Sequence, residues 1–594
     1  MEKGKTTKMD RQQIWDTLEN RILPLVQRPG RYVGGEVNSI IKNPNDVRAR
    51  VALVFPDVYE VGMSNLGLKI LYDEINSQKD YCAERVFVPW PDMESRMRQY
   101  AVPMFSLETH SPLKEFDIVG VSLQYELCYT NILTVLDLAG IPLFSEERLE
   151  GDYPLVIAGG LISYAPEPIS KFVDLFVVGD GEEIFLKVIE FYNKYWKKYD
   201  RKQFLEELSK AIDCVYAPPL YKLEPDSKGR LSRIISDEDS SKKIRRHIVK
   251  TLEACRVPVK PIIPLIEAVH DRATIEIMRG CPRSCRFCQA GVLYKPVRRR
   301  SSDLIAESAV QFITNTGYGE LGLLSLSSTD YSGINDLADR LLNTWEDRSV
   351  SISLPSMRVD SFSLELINRI SKTKKTGITL APEAASEKLL KVINKNYGPK
   401  DVLSIAEKAF RSGYRVIKLY FMIGLPREDD KDLDELVNLL YSVGKIGFIQ
   451  VNVSISTLVP KPHTPFQWEN MISLGEIQRK QNYLRDRVKR RNIKLKFHNP
   501  FLSILEGVFS RGDARLGDVI LKAWQAGCRF DQWEECFRYD LWVDAFGSCG
   551  INMEDYLSGW ECDASLPWDH IDCGLSKEFL LKEKIAAECA SEKV

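Results

Sequence analysis

The chain alternates between short apolar runs and amphipathic segments, and this alternation limits the folds available to it. In the first of two such regions, segments such as NLGLKILYDEIN and TNILTVLDLAGI space their apolar residues as a helix does. Buried strands are predicted for RVALVFP (50–56), ERVFVP (84–89), FDIVGVSL (116–123), YPLVIAGG (153–160) and VDLFVVGDGEE (173–183). Strands that alternate with helices predict an α/β fold with a doubly wound parallel sheet, whose ligand-binding edge lies at the carboxyl ends of the strands.

The alternation restarts after position 270, where further strand candidates are separated by helical segments such as SSDLIAESAVQFITN. The candidates are RATIEIMRG, LGLLSLSS (321–328), VSISLPSMRVD (350–360), KTGITLAPE (375–383), RVIKLYFMIGLP (415–426) and GFIQVNVSISTLVP (447–460). Repeated β/α units of this kind predict a partial (β/α)6 barrel, and such barrels place their chemistry at the carboxyl ends of the strands.

A chain of 594 residues is too long for one hydrophobic core, so several domains are expected. A polar, turn-rich stretch, DSKGRLSRIISDEDSSKKIRRH, separates the two alternating regions and indicates a connector. The predicted divisions are a helical lead-in (1–49), a Rossmann-like domain (50–200), a linker with a small subdomain (201–270), a barrel (271–490) and a small α-rich carboxyl-terminal extension (491–594).

Charge and composition exclude several classes of protein. The chain has 81 basic and 83 acidic residues, so no overall charge attracts it to nucleic acid or to an anionic membrane. It has no run of about 18 apolar residues, and its polar start does not resemble a secretory signal. Thirteen cysteines are too few for a disulfide scaffold of this length. We therefore expect a cytoplasmic protein without a membrane partner, whose crowded cysteines are metal ligands or catalytic groups.

Three of the cysteines are crowded into MRGCPRSCRFCQAG, at the end of the first strand candidate of the barrel. Cys281, Cys285 and Cys288 have the spacing C-x3-C-x2-C, and no fourth cysteine or histidine is close in sequence. A zinc site usually has four ligands, whereas an iron–sulfur cluster held by three thiolates keeps one iron open for a small molecule. The remaining alternatives are a zinc knuckle and three unrelated buried thiols.

The triplet resembles the signature of the radical S-adenosylmethionine superfamily, C-x3-C-x-aromatic-C, with Phe287 in the aromatic position. The resemblance covers roughly residues 271–490. It implies that Cys281, Cys285 and Cys288 hold a [4Fe–4S] cluster whose open iron binds the amino and carboxylate groups of S-adenosylmethionine. One electron from the cluster then cleaves S-adenosylmethionine and releases a 5′-deoxyadenosyl radical, while the protein positions and shields the cofactors.

The resemblance also assigns polar residues at the ends of the second and third barrel strands. In the family a polar motif after the second strand, often Gly-Gly-Glu, holds the amino group of S-adenosylmethionine. Ser327, Ser328 and Asp330 stand in its place here, and a simple Ser/Thr/Asp turn is the alternative. Ser356 and Arg358 follow the third strand. An arginine there can grip the carboxylate of the ligand, although a surface ion pair remains open.

Two further strand ends match family segments that contact the nucleoside. Glu383, after the fourth strand, matches the position of a ribose-binding polar residue, and a helix-terminal acid is the alternative. Ile423 and Gly424, after the fifth strand, match the adenine-contacting segment, where a glycine lets the backbone approach the ring. The short basic run from Arg298 to Arg300 is interpreted as a solvated surface, and a phosphate, nucleic-acid or redox-partner contact is the alternative.

The first alternating region resembles the cobalamin-binding-type domain that precedes many radical S-adenosylmethionine barrels. Its stretches VGVSLQYELCYTNIL, VIAGG and FVVGDGEE carry the resemblance, but the pattern D-x-H-x-x-G is missing, so no histidine is assigned as a lower cobalt ligand. The resemblance leaves open whether cobalamin binds or only the fold remains. Residues expected at the face of the cofactor are Ser122, Gln124, Gly159, Gly160, Gly179 and Gly181.

Together with RYVGGEVN, VPKPHTPFQW and the aromatic, acidic tail, these stretches match an uncharacterised bacterial family of fused radical S-adenosylmethionine proteins. The resemblance implies an enzyme that performs methyl transfer or another C–H modification, with a low-potential electron donor such as flavodoxin or ferredoxin. It names no catalytic residue, and the substrate is RNA, protein or a small molecule. The alternatives are a non-catalytic iron–sulfur protein for electron transfer or sensing and a zinc-bound RNA-processing module.

Overall fold

The computed structural model describes residues 9–225, 231–236, 243–345, 350–355, 358–359, 363–370 and 377–592. The chain begins with helix α1 (Arg11–Thr17), which continues into a turn of π-helix, Leu18–Ile22. Asp10 caps α1, because its side chain accepts a hydrogen bond from the Gln13 N–H at 2.9 Å. One face of this lead-in packs against the amino-terminal sheet through Ile14 and Leu18.

A six-stranded sheet follows, with its strands in the order β2-β1-β3-β4-β5-β6. Its strands are β1 (Ala49–Phe55), β2 (Tyr81–Phe87), β3 (Ile118–Ser122), β4 (Leu155–Gly159), β5 (Leu175–Val177) and β6 (Val215–Tyr216). Its helices are α2 (Tyr59–Gly62), α3 (Leu66–Ser77), α4 (Pro91–Gln99), α5 (Tyr129–Leu138), α6 (Glu182–Tyr195) and α7 (Arg201–Ala211). The first five strands are parallel, which confirms the doubly wound fold, and β6 adds an antiparallel edge.

Every residue of β1 is buried, because packed elements cover both faces of the sheet. Alternate residues serve two cores: Val51 and Leu53 face the core that contains residues of α3, α6 and α7. Val54 faces the core that contains α5 and parts of the carboxyl-terminal extension. The open edge of the sheet, at the carboxyl ends of β3, β4 and β5, is therefore free to face another part of the chain.

The connector contains a two-stranded antiparallel ribbon, β7 (Tyr221–Pro225) with β8 (Leu231–Ser236), and the short strand β9 (Ile244–Arg245). The bridge between Gly179 and His247 ties the connector to the open edge of the sheet. An added Cβ at Gly179 would lie 2.1 Å from the His247 carbonyl oxygen, so this close approach requires glycine.

The barrel begins with β10 (Ala273–Glu276), β11 (Met278–Arg279) and β12 (Arg298–Arg299), and it continues with β13 (Glu320–Leu324) and β14 (Ser351–Ser353). It is completed by β15 (Ile378–Glu383), β16 (Val416–Ile423), β17 (Gln450–Thr457) and β18 (Ile493–Phe497). Its helices are α8 (Gln289–Leu293), α9 (Ser302–Thr316), α10 (Ile334–Thr344), α11 (Leu364–Ile370), α12 (Glu387–Val392), α13 (Pro399–Arg411), α14 (Asp430–Lys445) and α15 (Leu474–Arg487).

The barrel strands form two parallel sheets, β10-β13-β14 and β15-β16-β17-β18, in chain order. Each of the six predicted strands is present, which confirms a partial barrel. β18 adds a strand beyond the predicted six, and it pairs in parallel with β17 inside the range assigned to the carboxyl-terminal extension. The strand pair β11 and β12 is antiparallel and holds together the two ends of the cysteine-bearing loop.

The extension contains α16 (Pro500–Ser510), α17 (Leu516–Gln525), α18 (Tyr539–Cys549), α19 (Glu554–Leu557), β19 (Ile571–Asp572) and α20 (Lys577–Glu592). It returns to the amino-terminal domain, where Trp524 donates its indole N–H to the Thr134 hydroxyl oxygen at 3.0 Å, and to the connector, where β19 pairs with β9. Among the described helices, none has the length and apolar composition that crossing a bilayer requires.

Candidate active site

The three crowded cysteines lie on one loop, which runs from Gly280 to Val297 between β11 and β12 and is called the cysteine loop below. Cys288 is the residue that caps helix α8, and its Sγ accepts a hydrogen bond from the Gly291 N–H at 3.3 Å. None of the three cysteines forms a disulfide, and all three are partly exposed. The loop follows β10 and β11, so it starts at the carboxyl end of the first barrel strand, where barrels of this type place their chemistry.

Three thiols on one loop are the type of ligand that an iron–sulfur cluster takes. Within the described part of the chain, no three His, Cys, Asp or Glu side chains are arranged to hold one ion. A cluster of several irons takes each thiolate on a different iron, so its ligands do not converge on one point. Burial raises the pKa of Cys288 to about 11 and also raises the pKa of Cys281. Bound iron would stabilise the thiolate and offset this cost.

Arg358 lies beside the cysteine loop, as the predicted grip on a carboxylate requires. Its Nη1 donates to the Cys285 Sγ at 3.3 Å. The guanidinium is therefore within reach of a small anionic group bound next to that cysteine. Ser356, which the sequence analysis paired with Arg358, lies outside the described residues.

The polar residues after β13 are already hydrogen-bonded within the protein. The Asp330 carboxylate accepts from Arg283 at 2.6 and 2.9 Å and from the Ser327 hydroxyl at 2.7 Å. Partial burial alone would raise the pKa of Asp330, but these hydrogen bonds hold it below its usual value. Ser327 and Ser328 are fully buried, and the Ser328 hydroxyl donates to the Leu323 carbonyl oxygen. Arg283 belongs to the cysteine loop, so Asp330 ties that loop to β13.

Glu383 lies at a β-bulge at the end of β15, and its backbone has a φ of +71°. Burial raises the pKa of its carboxyl group, and the neighbouring Lys395 opposes that rise. Lys395 Nζ is 3.4 Å from the Glu383 Oε1 and donates to the Ala381 carbonyl oxygen at 2.6 Å. The carboxylate is thus held at the strand end with acceptor capacity to spare for hydroxyl groups.

Ile423 is the last residue of β16 and Gly424 follows it, next to the strand end that bears Glu383. Gly424 has a φ of +79°, and a Cβ there would lie 2.8 Å from the Ile472 side chain, so the turn requires glycine. Its N–H donates to the Glu428 Oε1 at 2.9 Å. Phe287, the aromatic residue of the cysteine motif, packs against an apolar cluster at the same end of the barrel that includes Met422.

A cavity of about 510 Å³ separates the amino-terminal sheet from the barrel. From the sheet it is lined by all six residues that the sequence analysis placed at a cofactor face, namely Ser122, Gln124, Gly159, Gly160, Gly179 and Gly181. From the barrel it is lined by Glu276, Met278, Arg279, Gly280, Tyr294 and Leu326. The cavity therefore reaches the residue that precedes Cys281.

The two domains meet beside this cavity through a cluster of buried charges. Arg279 pairs with Asp180 at 3.0 Å, with Glu182 at 2.5 Å and with Glu276 at 2.8 Å. Arg298 also pairs with Asp180. None of these contacts was predicted. Asp180 and Glu182 are distant from the two arginines in sequence and become their neighbours only in the fold, whereas Glu276 lies three residues before Arg279.

The basic run from Arg298 to Arg300 is not the solvated surface that the sequence analysis expected. Arg298 and Arg300 are buried, whereas Arg299 is exposed. Arg300 donates to the carbonyl oxygens of Glu276, Leu252 and Cys255. The run is extended at β12, so alternate side chains point inwards, where backbone carbonyls and Asp180 neutralise their charge.

His463, on the loop after β17, is also satisfied by the backbone. Its Nε2 lies 2.8 Å from the Tyr164 carbonyl oxygen. Burial lowers the pKa of His463 to about 4, so the imidazole is neutral at physiological pH. The histidine joins the loop after β17 to the loop after β4.

Comparison with curated proteins gives relatives with and without an assigned activity. An uncharacterised protein of Methanocaldococcus jannaschii is 28% identical over 473 residues, which cover 79% of this chain and 90% of that protein. The ribosomal protein uS12 methylthiotransferase RimO of Petrotoga mobilis is 25% identical over 296 residues, which cover 46% of this chain and 64% of that protein.

Two solved structures that match the chain are those of a cobalamin-dependent radical enzyme and of a methyltransferase. OxsB, a cobalamin-dependent S-adenosylmethionine radical enzyme with aqua-cobalamin bound, is 12% identical, with 92% of this chain and 80% of that chain covered and a TM-score of 0.48. The radical S-adenosylmethionine methyltransferase TsrM of Kitasatospora setae is 12% identical, with 68% and 72% covered and a TM-score of 0.46.

Two family models match the chain directly. The model described as "Radical SAM proteins, N-terminal" matches residues 67–218, and the model described as "Radical SAM superfamily" matches residues 275–440. The first match lies on the doubly wound sheet and the second on the barrel and its cysteine loop. The chain therefore belongs to the radical S-adenosylmethionine superfamily, whose enzymes use a [4Fe–4S] cluster and S-adenosylmethionine together with a reductant.

Proposed function

We propose that this enzyme holds its cluster on Cys281, Cys285 and Cys288 and binds a corrinoid of the cobalamin class in the interdomain cavity. The observation that carries the proposal is the position of the cavity. It lies between the carboxyl edge of the sheet and the carboxyl ends of the barrel strands, and it reaches Gly280, next to the cysteine loop. A ligand in this cavity is therefore adjacent to whatever the cysteine loop holds.

The lining of the cavity suits a large, flat ligand. Gly159 and Gly181 present no side chain, and an added Cβ at either position would meet no heavy atom closer than 3.6 Å. Apolar side chains such as Leu326 and Met278 supply surface for van der Waals contact, while Ser122 and Gln124 can hydrogen-bond to amide groups. The described lining includes no histidine, so we assign no protein ligand to the cobalt.

The residues at the barrel strand ends would bind and orient S-adenosylmethionine. Arg358 would hold its carboxylate, and Asp330 would accept from its ammonium group through lone pairs that Arg283 and Ser327 leave available. Glu383 would accept from ribose hydroxyls. The backbone at Ile423 and Gly424 would contact the adenine ring.

When bound, the cluster supplies the electron that splits S-adenosylmethionine, and the corrinoid supplies a methyl carrier. The reaction that this combination supports best is methyl transfer to an unactivated carbon. The role of the protein is to exclude water and to hold the two cofactors next to each other, since the cavity reaches Gly280 beside the cysteine loop. A low-potential protein donor, such as flavodoxin or ferredoxin, would deliver the electron, and the partial exposure of the three thiols is consistent with that access.

The test separates the two cofactor sites by mutation. The protein is purified without oxygen from cells grown with cobalamin, and iron, sulfide, corrinoid and 5′-deoxyadenosine are measured on each variant. Cys285→Ala is expected to lose iron and 5′-deoxyadenosine formation but to keep corrinoid. Gly159→Leu is expected to lose corrinoid and keep iron, because the added side chain fills the cavity without a backbone clash.

Gly475→Leu is the matched control, since no heavy atom lies within 4 Å of an added Cβ at that position, and it should keep both cofactors. The cluster assignment is refuted when Cys285→Ala retains full iron and still cleaves S-adenosylmethionine. The corrinoid assignment is refuted when the wild-type protein carries no corrinoid, or when Gly159→Leu carries as much as the wild type.

A further inference from the structure

The part of the cysteine loop between Cys285 and Cys288 rests on a pair of helices that are distant in sequence. Helix α12 follows β15, and α20 is the last helix of the described chain. The two helices pack together through an apolar cluster that includes Leu390 of α12 and Ala587 of α20, and Phe287 packs against this cluster. Two of the three cysteines are thus supported from the side of the extension.

Arg286 makes the polar part of this contact. Its guanidinium donates to the carbonyl oxygens of Lys391 and Val392 at 2.8 and 3.0 Å, and its backbone N–H donates to the Ile393 carbonyl oxygen at 3.2 Å. These are carbonyls at the end of α12, where a helix leaves its last acceptors without partners. A cation at a helix carboxyl terminus satisfies them and complements the helix dipole.

Glu583 of α20 completes the set. Its Oε2 lies 3.0 Å from the Arg286 Nε, and the Arg286 side chain is buried to about nine-tenths. The Arg286 guanidinium is bound both by backbone carbonyls and by a carboxylate, so the side chain has little freedom to change rotamer. A further contact holds the residue before Cys285, because Asn394 donates its side-chain N–H to the Ser284 carbonyl oxygen at 2.9 Å.

We propose that the carboxyl-terminal helix α20 is part of the structure that holds the cluster: Glu583 fixes Arg286, and Arg286 is a positioning residue that sets the spacing of Cys285 and Cys288. The inference rests on the proposed function, because it takes the three cysteines as cluster ligands. It assigns to the end of the chain, almost 300 residues from the motif, a role in keeping the cluster bound.

The inference concerns cluster retention, so the test measures retention before activity. Wild-type protein and variants are reconstituted without oxygen, and the release of iron to a chelator is followed by absorbance. Glu583→Ala is expected to release iron about tenfold faster than the wild type, in the range found when partners of metal ligands are removed. Arg286→Lys, which keeps the charge but loses the fork, should behave similarly.

Two measurements distinguish positioning from a general loss of stability. The electron paramagnetic resonance spectrum of the reduced cluster should change in Glu583→Ala. The loss of the ion pair also lowers the thermal midpoint of the cluster-free protein, so iron release is compared at a temperature well below that midpoint. Glu583→Gln, which retains an acceptor for Arg286, should restore most of the retention. Glu578→Gln, at an exposed position on the same helix, is the matched control and should release iron at the wild-type rate.

The outcomes separate this inference from the function on which it depends. Wild-type protein that fails to bind a four-iron cluster refutes the proposed function and the inference with it. Wild-type protein that binds the cluster, together with Glu583→Ala and Arg286→Lys variants that release iron at the wild-type rate and give the wild-type spectrum, refutes the inference alone.

Discussion

The buried ion pair between Lys480 and Glu428 supports the turn that is proposed to contact adenine. Lys480 Nζ lies 2.8 Å from the Glu428 Oε1, and the two side chains are 4% and 2% exposed. The same carboxylate oxygen accepts the Gly424 N–H. Replacing Lys480 with methionine keeps the apolar length of the side chain but removes the charge, and it leaves a carboxylate buried without its cation.

The expected cost is large, because removing one partner of a buried ion pair typically destabilises a protein by about 3–5 kcal/mol. For a domain the size of the barrel, that loss lowers the thermal midpoint by about 10 °C. Burial raises the pKa of Glu428, and Lys480 opposes that rise. Without Lys480 the pKa in the folded state rises further above the unfolded value. The variant should therefore be least stable at high pH and regain stability as the pH falls.

Scanning calorimetry at a series of pH values upward from the ordinary glutamate pKa of about 4.3 follows this effect, because the loss of stability begins above that value. The double variant Lys480→Met with Glu428→Gln is the control, because it removes the uncompensated charge while keeping an acceptor for Gly424. It should melt higher than the single variant at pH 8. The reasoning is refuted when Lys480→Met melts within about 2 °C of the wild type at pH 8, or when the double variant is no more stable than the single one.

Two further predictions concern the contacts between the domains. Arg279→Met removes an arginine partner of Glu182 and Glu276 and leaves Asp180 paired with Arg298, so we expect faster proteolysis at the domain junction and loss of corrinoid. Wild-type behaviour in both assays would show that the charge cluster is dispensable. Burial lowers the pKa of His463 to about 4. The neutral imidazole therefore adds about 3 kcal/mol to the free energy of unfolding above pH 6.5, and this contribution is lost as the pH falls towards 4. The thermal midpoint of His463→Gln should therefore fall less than that of the wild type over this interval, and parallel profiles would contradict the assignment.

The long strands of both domains could be predicted because their sequences are apolar runs, most of which end in glycine or proline. Among the strands that the sequence analysis did not predict, β18 has the sequence IKLKF, in which Lys494 and Lys496 alternate with buried or half-buried apolar residues. That two-residue period is the pattern of a strand with one exposed face. The predicted barrel ends at residue 490, before β18 begins, so this pattern is not counted among its strands.

The residues that hold the cysteine loop could be recognised only in part. The cysteines and Phe287 are marked by their spacing, since the chemistry of the cluster fixes it. Arg283 and Arg286 lie in the same motif, but their partners Asp330 and Glu583 lie about 50 and 300 residues away, and nothing in the local sequence identifies them. The prediction that Arg298 and Arg300 are solvated was wrong for a local reason. Three adjacent arginines suggest a solvated surface, whereas the two-residue period of a strand buries the first and the third.

The position of the cavity follows from the topology of the two domains. A parallel sheet collects its strand ends on one edge, and a β/α barrel collects its strand ends on one face. When the two domains join with these edges opposed, their glycine-rich turns and polar loop residues enclose one space. An apolar interface would fill that space with side chains, as a protein core does. Arg279 instead forms ion pairs with Asp180 and Glu182 across the interface, beside the cavity. We therefore expect the charged contacts at this interface to determine how much room the site offers to a ligand.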